Sequence, residues 1–367
     1  MGEANINQEV LQYNYDFIVK RKQIHVGFIP TIILDSQIID YLDRYLNKPN
    51  RNSAEYNATR QLLKFVVEKN YDYNPFFYVL EAVITNGKEG ARPYVTRLAK
   101  TILQFHTMDE TVFLEEDRIT RDRKRCKEYA HQYRLNCIDS NFFTDIANLW
   151  TDAMFSNIGK LANLVQEILD YSYAVLLKMA LVHKGSKHKV VKKMQSFSDF
   201  LERELNLALG RELAIAAYYF SNRLPPRFVT IESNMAFEEV RRKMRSTTRD
   251  LLLLRMPEIL LLNGTEKETV LGFVCSADKA IRALGRLFTI EYVDALPRNY
   301  SLPNSVHINM EKLEQELGNE VVEPLLRKQN QRTVARLSTD RREHISKEQL
   351  RNLIFSLEEQ VKALCRD

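Results

Sequence analysis

Two acids stand where an open parallel sheet keeps its chemistry. Asp35 closes the β-branched run TIILD and Asp278 closes LGFVCSAD, and each is followed by residues at helical spacing. Residues at the carboxyl ends of parallel strands share one edge, where sites collect. Two further acids keep apolar company: Glu81 lies inside PFFYVLEAV, and Asp250 opens the run LLLL. Carboxylates gathered at one edge repel one another and raise each other's pKa values. Hard divalent cations, Mg²⁺ or Mn²⁺, relieve that repulsion through oxygen ligands. Two such ions about 4 Å apart would activate a water and stabilise the leaving oxygen of a phosphodiester. The candidate ligands and catalytic residues are Asp35 and Asp278 from strand ends, Glu81 from a facing helix and Asp250 from a helix N-terminus.

Each position also has a plainer use. Asp is a preferred helix cap, worth about 1 kcal/mol, and Asp35, Asp250 and Asp278 all precede helical stretches. Glu81 is harder to dismiss. A carboxylate among Phe76, Phe77, Val79, Leu80 and Val83 is costly unless it is paired, metal-bound or turned to solvent.

The elements that must hold these residues follow from periodicity. Residues 31–35 read as a strand, and SQIIDYLDRYL then takes up helical spacing. Leu62, Leu63, Val66 and Val67 make a helical stripe over 54–69. Pro75 suits the first turn of a helix through NPFFYVLEAV. Residues 92–182 contain no convincing strand. Leu161, Leu164, Val165, Ile168, Leu169, Val175, Leu176 and Met179 predict a long amphipathic helix whose stripe is broken only at Ser172. GSKHK (185–189) reads as an exposed loop and 196–221 as another helix. DLLLLRMPEILLL (250–262) mixes a helix start with an apolar run. LGFVCSAD is a buried-strand pattern, KAIRALGRL continues as a helix, and FTIEYV (288–293) is one last strand. From about 308 the tail is helical, with Ser346 and Gln349 in capping-box spacing before a final apolar stripe.

Composition narrows the function classes. Eleven glycines and ten prolines in 367 residues are roughly half the usual share. A Gly-rich, collagenous or many-stranded sandwich protein needs more turn residues. No G-x-G and no G-x-x-x-x-G-K-[ST] occurs, so a glycine cradle for nucleotide phosphates is missing and no nucleotide or organic cofactor is expected. No apolar run approaches a membrane span. The opening MGEANINQEV lacks the charged-then-apolar design of a secretory signal, so a cytoplasmic location is expected.

The net charge of +5 is unevenly spread. Basic residues cluster at 118–127, at 184–193 including Lys192 and Lys193, at 241–249 including Arg241, Arg242 and Lys243, and at 327–342. A phosphate backbone is the usual partner of such clusters, and a solvated helix face is the plainer alternative.

Read together, these segments resemble PIN-domain ribonucleases. IILDSQIIDYL resembles the family's opening strand and helix, apolar strand, Asp, then Ser or Thr. NPFFYVLEAV is similar to the helix carrying the second acid, and TRDLLLLRMPE followed by FVCSADKAIRAL resembles the closing signature. In the closing match Ser276, Asp278 and Lys279 all fall in pattern. The resemblance implies an acidic quartet of Asp35, Glu81, Asp250 and Asp278, supported by Ser36 and Ser276. It implies an α/β fold: a PIN-like three-layer α/β/α core with a short parallel sheet, built from residues 1–91 and 206–300. A helical insertion (92–205) and C-terminal helices (301–367) complete the chain. It implies a Mg²⁺- or Mn²⁺-dependent endoribonuclease, of the kind used as a toxin or antiviral effector, acting on RNA in preference to DNA. The helical regions would guide substrate or form a homodimer, and a regulatory protein partner fits the same picture. Glu212, in GRELAIAAYYF, is a rival for the second acid. The alternative function is a catalytically inactive helical nucleic-acid-binding or scaffold protein on the same core.

Overall fold

The computed structural model describes residues 16–17, 27–136, 138–207, 210–224, 228, 231, 235–262, 268–286, 290–294, 305–308, 311–323, 327 and 345–365. In chain order the strands are β1 (Asp16–Phe17), β2 (Gly27–Leu34), β3 (Asp72–Asn74), β4 (Glu268–Cys275), β5 (Ile290–Asp294) and β6 (Ser305–Ile308). The first helices are α1 (Ser36–Asn47), α2 (Ala54–Lys69), α3 (Phe76–His106), α4 (Glu110–Glu116), α5 (Arg123–Gln132) and α6 (Phe142–Gly185). They are followed by α7 (Val190–Arg203), α8 (Gly210–Phe220), α9 (Phe237–Leu262), α10 (Lys279–Gly285), α11 (Glu311–Leu317) and α12 (Lys347–Lys362). The protein is mostly helical, with a small parallel three-stranded sheet.

The chain divides into two compact units, each assembled from separated stretches. The first takes its described residues from His25–Val165 and Arg255–Ala277, the second from Tyr13–Ile24, Gln166–Leu254 and Asp278–Asp367. Helices α6 and α9 each contribute to both.

The first unit is built on the sheet β3-β2-β4, all parallel. Thr31, Ile32, Ile33 and Leu34 of the central strand are buried, as a strand covered on both faces demands. β2 and β4 run in register from Gly27↔Glu268 to Leu34↔Cys275, and Ile33 pairs with Asn74 of β3. All three carboxyl ends therefore fall at one edge. Gly272 of β4 is needed where it stands: a Cβ there would lie 2.6 Å from Ile33 Cδ1 and 3.2 Å from the Cα of Pro257 on α9. α1 buries Ile38, Ile39, Leu42 and Tyr45, the spacing of one helical face. α3 follows Pro75 and breaks at Gly87, whose φ of 69° suits glycine. Its second half packs Ala99 and Leu103 into a cluster with Cys126, Phe142, Phe143 and Ile146.

In the second unit β5 pairs with β1 in parallel and with β6 antiparallel. Of the stripe of α6, Val165, Leu169, Val175, Leu176 and Met179 are buried, with Ser172 among them, and Ile168 is only partly so. The side chains of Leu161 and Leu164 lie outside the described residues. α12 opens with the complete capping box of Ser346 and Gln349 and buries Leu350, Ile354, Leu357 and Val361.

Three expectations need correction. Residues 196–221 form two helices rather than one, because the chain leaves helix at Arg203 and passes Asn206 at φ 50° before α8. The tail from 308 begins with a strand residue, since β6 reaches Ile308. Asp250 stands inside the 26-residue helix α9 instead of at a helix N-terminus. That helix starts earlier, at Phe237, ahead of the basic cluster at 241–249. The basic residues Lys328, Arg332, Arg336, Arg341 and Arg342 and the cysteine Cys137 fall outside the described residues.

Candidate active site

The carboxyl edge of the first unit's sheet gathers one acid and one hydroxyl from strand ends and a second acid from the helix after β3. Asp35 follows β2 directly, Ser276 follows β4, and α3 delivers Glu81. The register does the joining. Cys275 is the partner of Leu34, so the Asp35 amide donates to the Cys275 carbonyl at 3.1 Å. One residue further on, the Ser276 hydroxyl donates to Asp35 Oδ2 at 2.6 Å. Ser36, the first residue of α1, donates its hydroxyl to Glu81 Oε2. Both serines thus act on the two carboxylates beside them.

Asp35 occupies the N-cap position of α1, yet its side chain makes no capping hydrogen bond. Its carboxylate is turned towards Ser276 instead. Glu81 is half-buried and paired, which answers the desolvation cost that its apolar neighbours impose.

Tyr94, on α3, reports the electrostatics of this edge. Burial, and then the negative charges of Asp40, Glu81 and Asp35, push its phenol up to about 12, against the opposing charge of Arg97. Asp40 on α1 is itself shifted upward by burial, although Arg97 and Arg44 pull it down. Arg97 answers this acidity: it pairs with Asp40 at 3.1 Å and lies 5.4 Å over the Tyr94 ring. Tyr94, Asp40 and Arg97 escaped the reading of the sequence. The available signal was Asp40 and Asp43 on α1, three residues apart on one helical face.

Glu81 shares its unit with Asp35, whereas Asp250, Asp278 and Glu212 belong to the second unit. Asp278 is the N-cap of α10, accepting from the amides of Ala280 and Ile281 at 2.6 and 3.3 Å. Glu212 is buried on α8, 2% exposed, beside Arg211, whose guanidinium donates to the Leu254 carbonyl at 2.9 Å. Among the described residues no group of three or more His, Cys, Asp or Glu side chains converges as a metal site.

The basic residues divide into spent and exposed. Arg241 pairs with Glu238 at 3.2 Å and Glu358 at 3.6 Å, and Lys243 pairs with Glu239 at 2.9 Å. Lys193 donates to the His183 carbonyl at 3.3 Å. Arg242 and Lys192 are exposed. No described helix is long and apolar enough to cross a membrane. Compared with protein-family models, curated proteins and solved structures, the chain matches none.

Proposed function

We propose that the first unit carries a Mg²⁺- or Mn²⁺-dependent nuclease centre, with Asp35 and Glu81 as its carboxylate ligands and RNA, in preference to DNA, as its substrate. One observation carries this reading: Asp35 sits where a capping side chain belongs and forgoes the cap, leaving its carboxylate at the edge where Glu81 also arrives. The preference for RNA rests on the resemblance of IILDSQIIDYL to the PIN opening motif.

The donor set suits the ion class. Mg²⁺ keeps several waters and is held by one or two carboxylates together with substrate phosphates. Bound there, the ion would polarise a phosphodiester for attack by water. Ser276 holds Asp35 in one orientation and Ser36 does the same for Glu81, so neither carboxylate has to be reorganised when an ion arrives. Tyr94, protonated through the physiological range, feels the charge of both acids.

Manganese-dependent cleavage of single-stranded RNA by the purified chain tests this. Asp35→Asn and Glu81→Gln should abolish it, and Ser276→Ala should cost about 10- to 100-fold, as lost support of a ligand does. Wild-type cleavage by Asp35→Asn sinks the proposal. The second reading, an inactive nucleic-acid-binding or scaffold protein, is favoured by the commitment of the Asp278 carboxylate to its helix cap. Salt-dependent RNA binding without manganese-dependent cleavage would select it.

A further inference from the structure

The opposite end of α1 carries a feature that the nuclease centre does not use. Ten residues beyond Asp35, about 15 Å along the helix at 1.5 Å per residue, Tyr45 forms part of the wall of a cleft of about 690 Å³ in the first unit. Four arginines line it: Arg51, Arg60, Arg118 and Arg121. We propose that this cleft is a second site, one that binds a nucleoside phosphate, supplied either as a free nucleotide or as part of a single-stranded RNA.

Charge bookkeeping favours an anion. Glu116 and Asp117 are the acids of the lining, and both are already answered. Asp117 holds Arg60 through both carboxylate oxygens and pairs with Lys64 at 2.9 Å. Glu116 pairs with Arg118 at 2.9 Å. Arg51 and Arg121 have no carboxylate in ion-pair reach among the described residues, so two guanidinium charges face the cleft unanswered.

The arginines are also held in place. The loop carrying Arg118 and Arg121 is held at its start by Asp117 N to Phe113 O at 3.0 Å and at its far end by Asp109 N to Thr120 O and Asp122 N to Thr107 O, each 2.8 Å. The Arg121 guanidinium lies 4.8 Å over the Phe143 ring. A planar guanidinium fixed in this way offers paired N–H donors in the geometry phosphate oxygens accept. α1 and α4 end at the cleft with their carbonyl termini, while α2 opens there, with Tyr56 and Asn57 of its first turn in the wall. The helix ends largely offset one another, and the attraction comes chiefly from the side chains.

Aromatic surface makes the ligand a nucleoside phosphate rather than a bare anion. The rings of Tyr45 and Tyr56 stack 4.5 Å apart at 22° and both line the cleft. Tyr45 is buried and Tyr56 only partly so. Aromatic side chains of this kind are platforms on which nucleic-acid bases stack.

Binding of ATP, of pyrophosphate and of a labelled oligouridylate of about ten nucleotides to the full chain in EDTA decides the matter. The proposal expects ATP or the oligonucleotide to bind, and Arg51→Glu/Arg121→Glu to weaken that binding about tenfold or more. Arg242→Glu, on α9, should bind as the wild type does. Tyr56→Ala and the conservative Arg121→Lys should each weaken binding by a smaller factor. ATP that displaces the oligonucleotide identifies a site open to free nucleotides, and an oligonucleotide that binds while ATP does not identifies single-stranded RNA. Binding of neither probe overturns the proposal. So does binding unchanged in the arginine variants, or pyrophosphate binding as tight as that of ATP. Asp35→Asn should retain full binding, which separates this site's fate from that of the nuclease centre.

Discussion

Asp35 and Asp278 look alike in the sequence, each an acid between an apolar run and a helix, and the structure gives them different work. Asp278 accepts from two amides of α10, while Asp35 accepts from Ser276 and leaves the first turn of α1 without a side-chain cap. The difference was not legible, because capping and ligation ask for the same residue at the same place; only the serine across the strand pair separates them. A pair of substitutions tests the assignment. Asn caps as well as Asp, and Ala does not. Asp278→Asn should therefore unfold at the wild-type denaturant midpoint, and Asp278→Ala should lose about 1 kcal/mol. Equal losses in both would mean that the cap is not what the carboxylate provides. The same Asp278→Asn protein bears on catalysis: cleavage lost at unchanged stability would make Asp278 a ligand, and full cleavage would leave Asp35 and Glu81 to act without it.

At the scale of elements, the signals that could be read were those with strong local chemistry. β2 and β4 announced themselves by β-branched and apolar runs, the start of α3 by Pro75, and α12 by its capping box. β3 is the three polar-to-aromatic residues DYN; nothing in so short a run signals a strand, and only pairing with Thr31, Ile32 and Ile33 makes it one. α9 was obscured by Pro257, which normally interrupts a helix but here lies inside one, against the sheet at Gly272. The contact is close, so Gly272 should be sensitive. Gly272→Ala puts a methyl group against the Pro257 backbone and Ile33 Cδ1, and overpacking of this kind costs about 1–3 kcal/mol. Ile33→Val removes the Cδ1 atom. In the double variant part of the loss should return, so that the two changes are not additive. A strictly additive result in urea unfolding would show that the methyl finds room elsewhere.

At the scale of the whole molecule, a net charge of +5 suggests a nucleic-acid surface only where the positive charge is unspent. In the cluster at 241–249 much of that charge is spent, although Arg242 is exposed. Glu358 of α12, 17% exposed, accepts from the Tyr173 hydroxyl at 2.8 Å and lies 3.6 Å from Arg241 and 3.9 Å from Arg245. Arg245 in turn covers the Tyr173 ring at 4.2 Å. Burial first, and then the bond to Glu358, hold that phenol well above its ordinary pKa, so it stays a donor. The carboxylate ties the last helix to α6 and α9 within the second unit, and the two arginines are part of that fastening. Glu358→Ala leaves the buried Tyr173 hydroxyl without its acceptor and takes one of two carboxylates from Arg241 and from Arg245, which keep Glu238 and Asp170. The expected cost is about 2 kcal/mol, a Tm lower by roughly 4–8 °C, and Glu358→Gln, whose amide oxygen still accepts from Tyr173, should lose less. Arg241→Gln should likewise lower Tm while leaving the affinity for oligouridylate unchanged. A protein that keeps its Tm but binds RNA several-fold more weakly would reverse this view and return the cluster to the nucleic-acid surface.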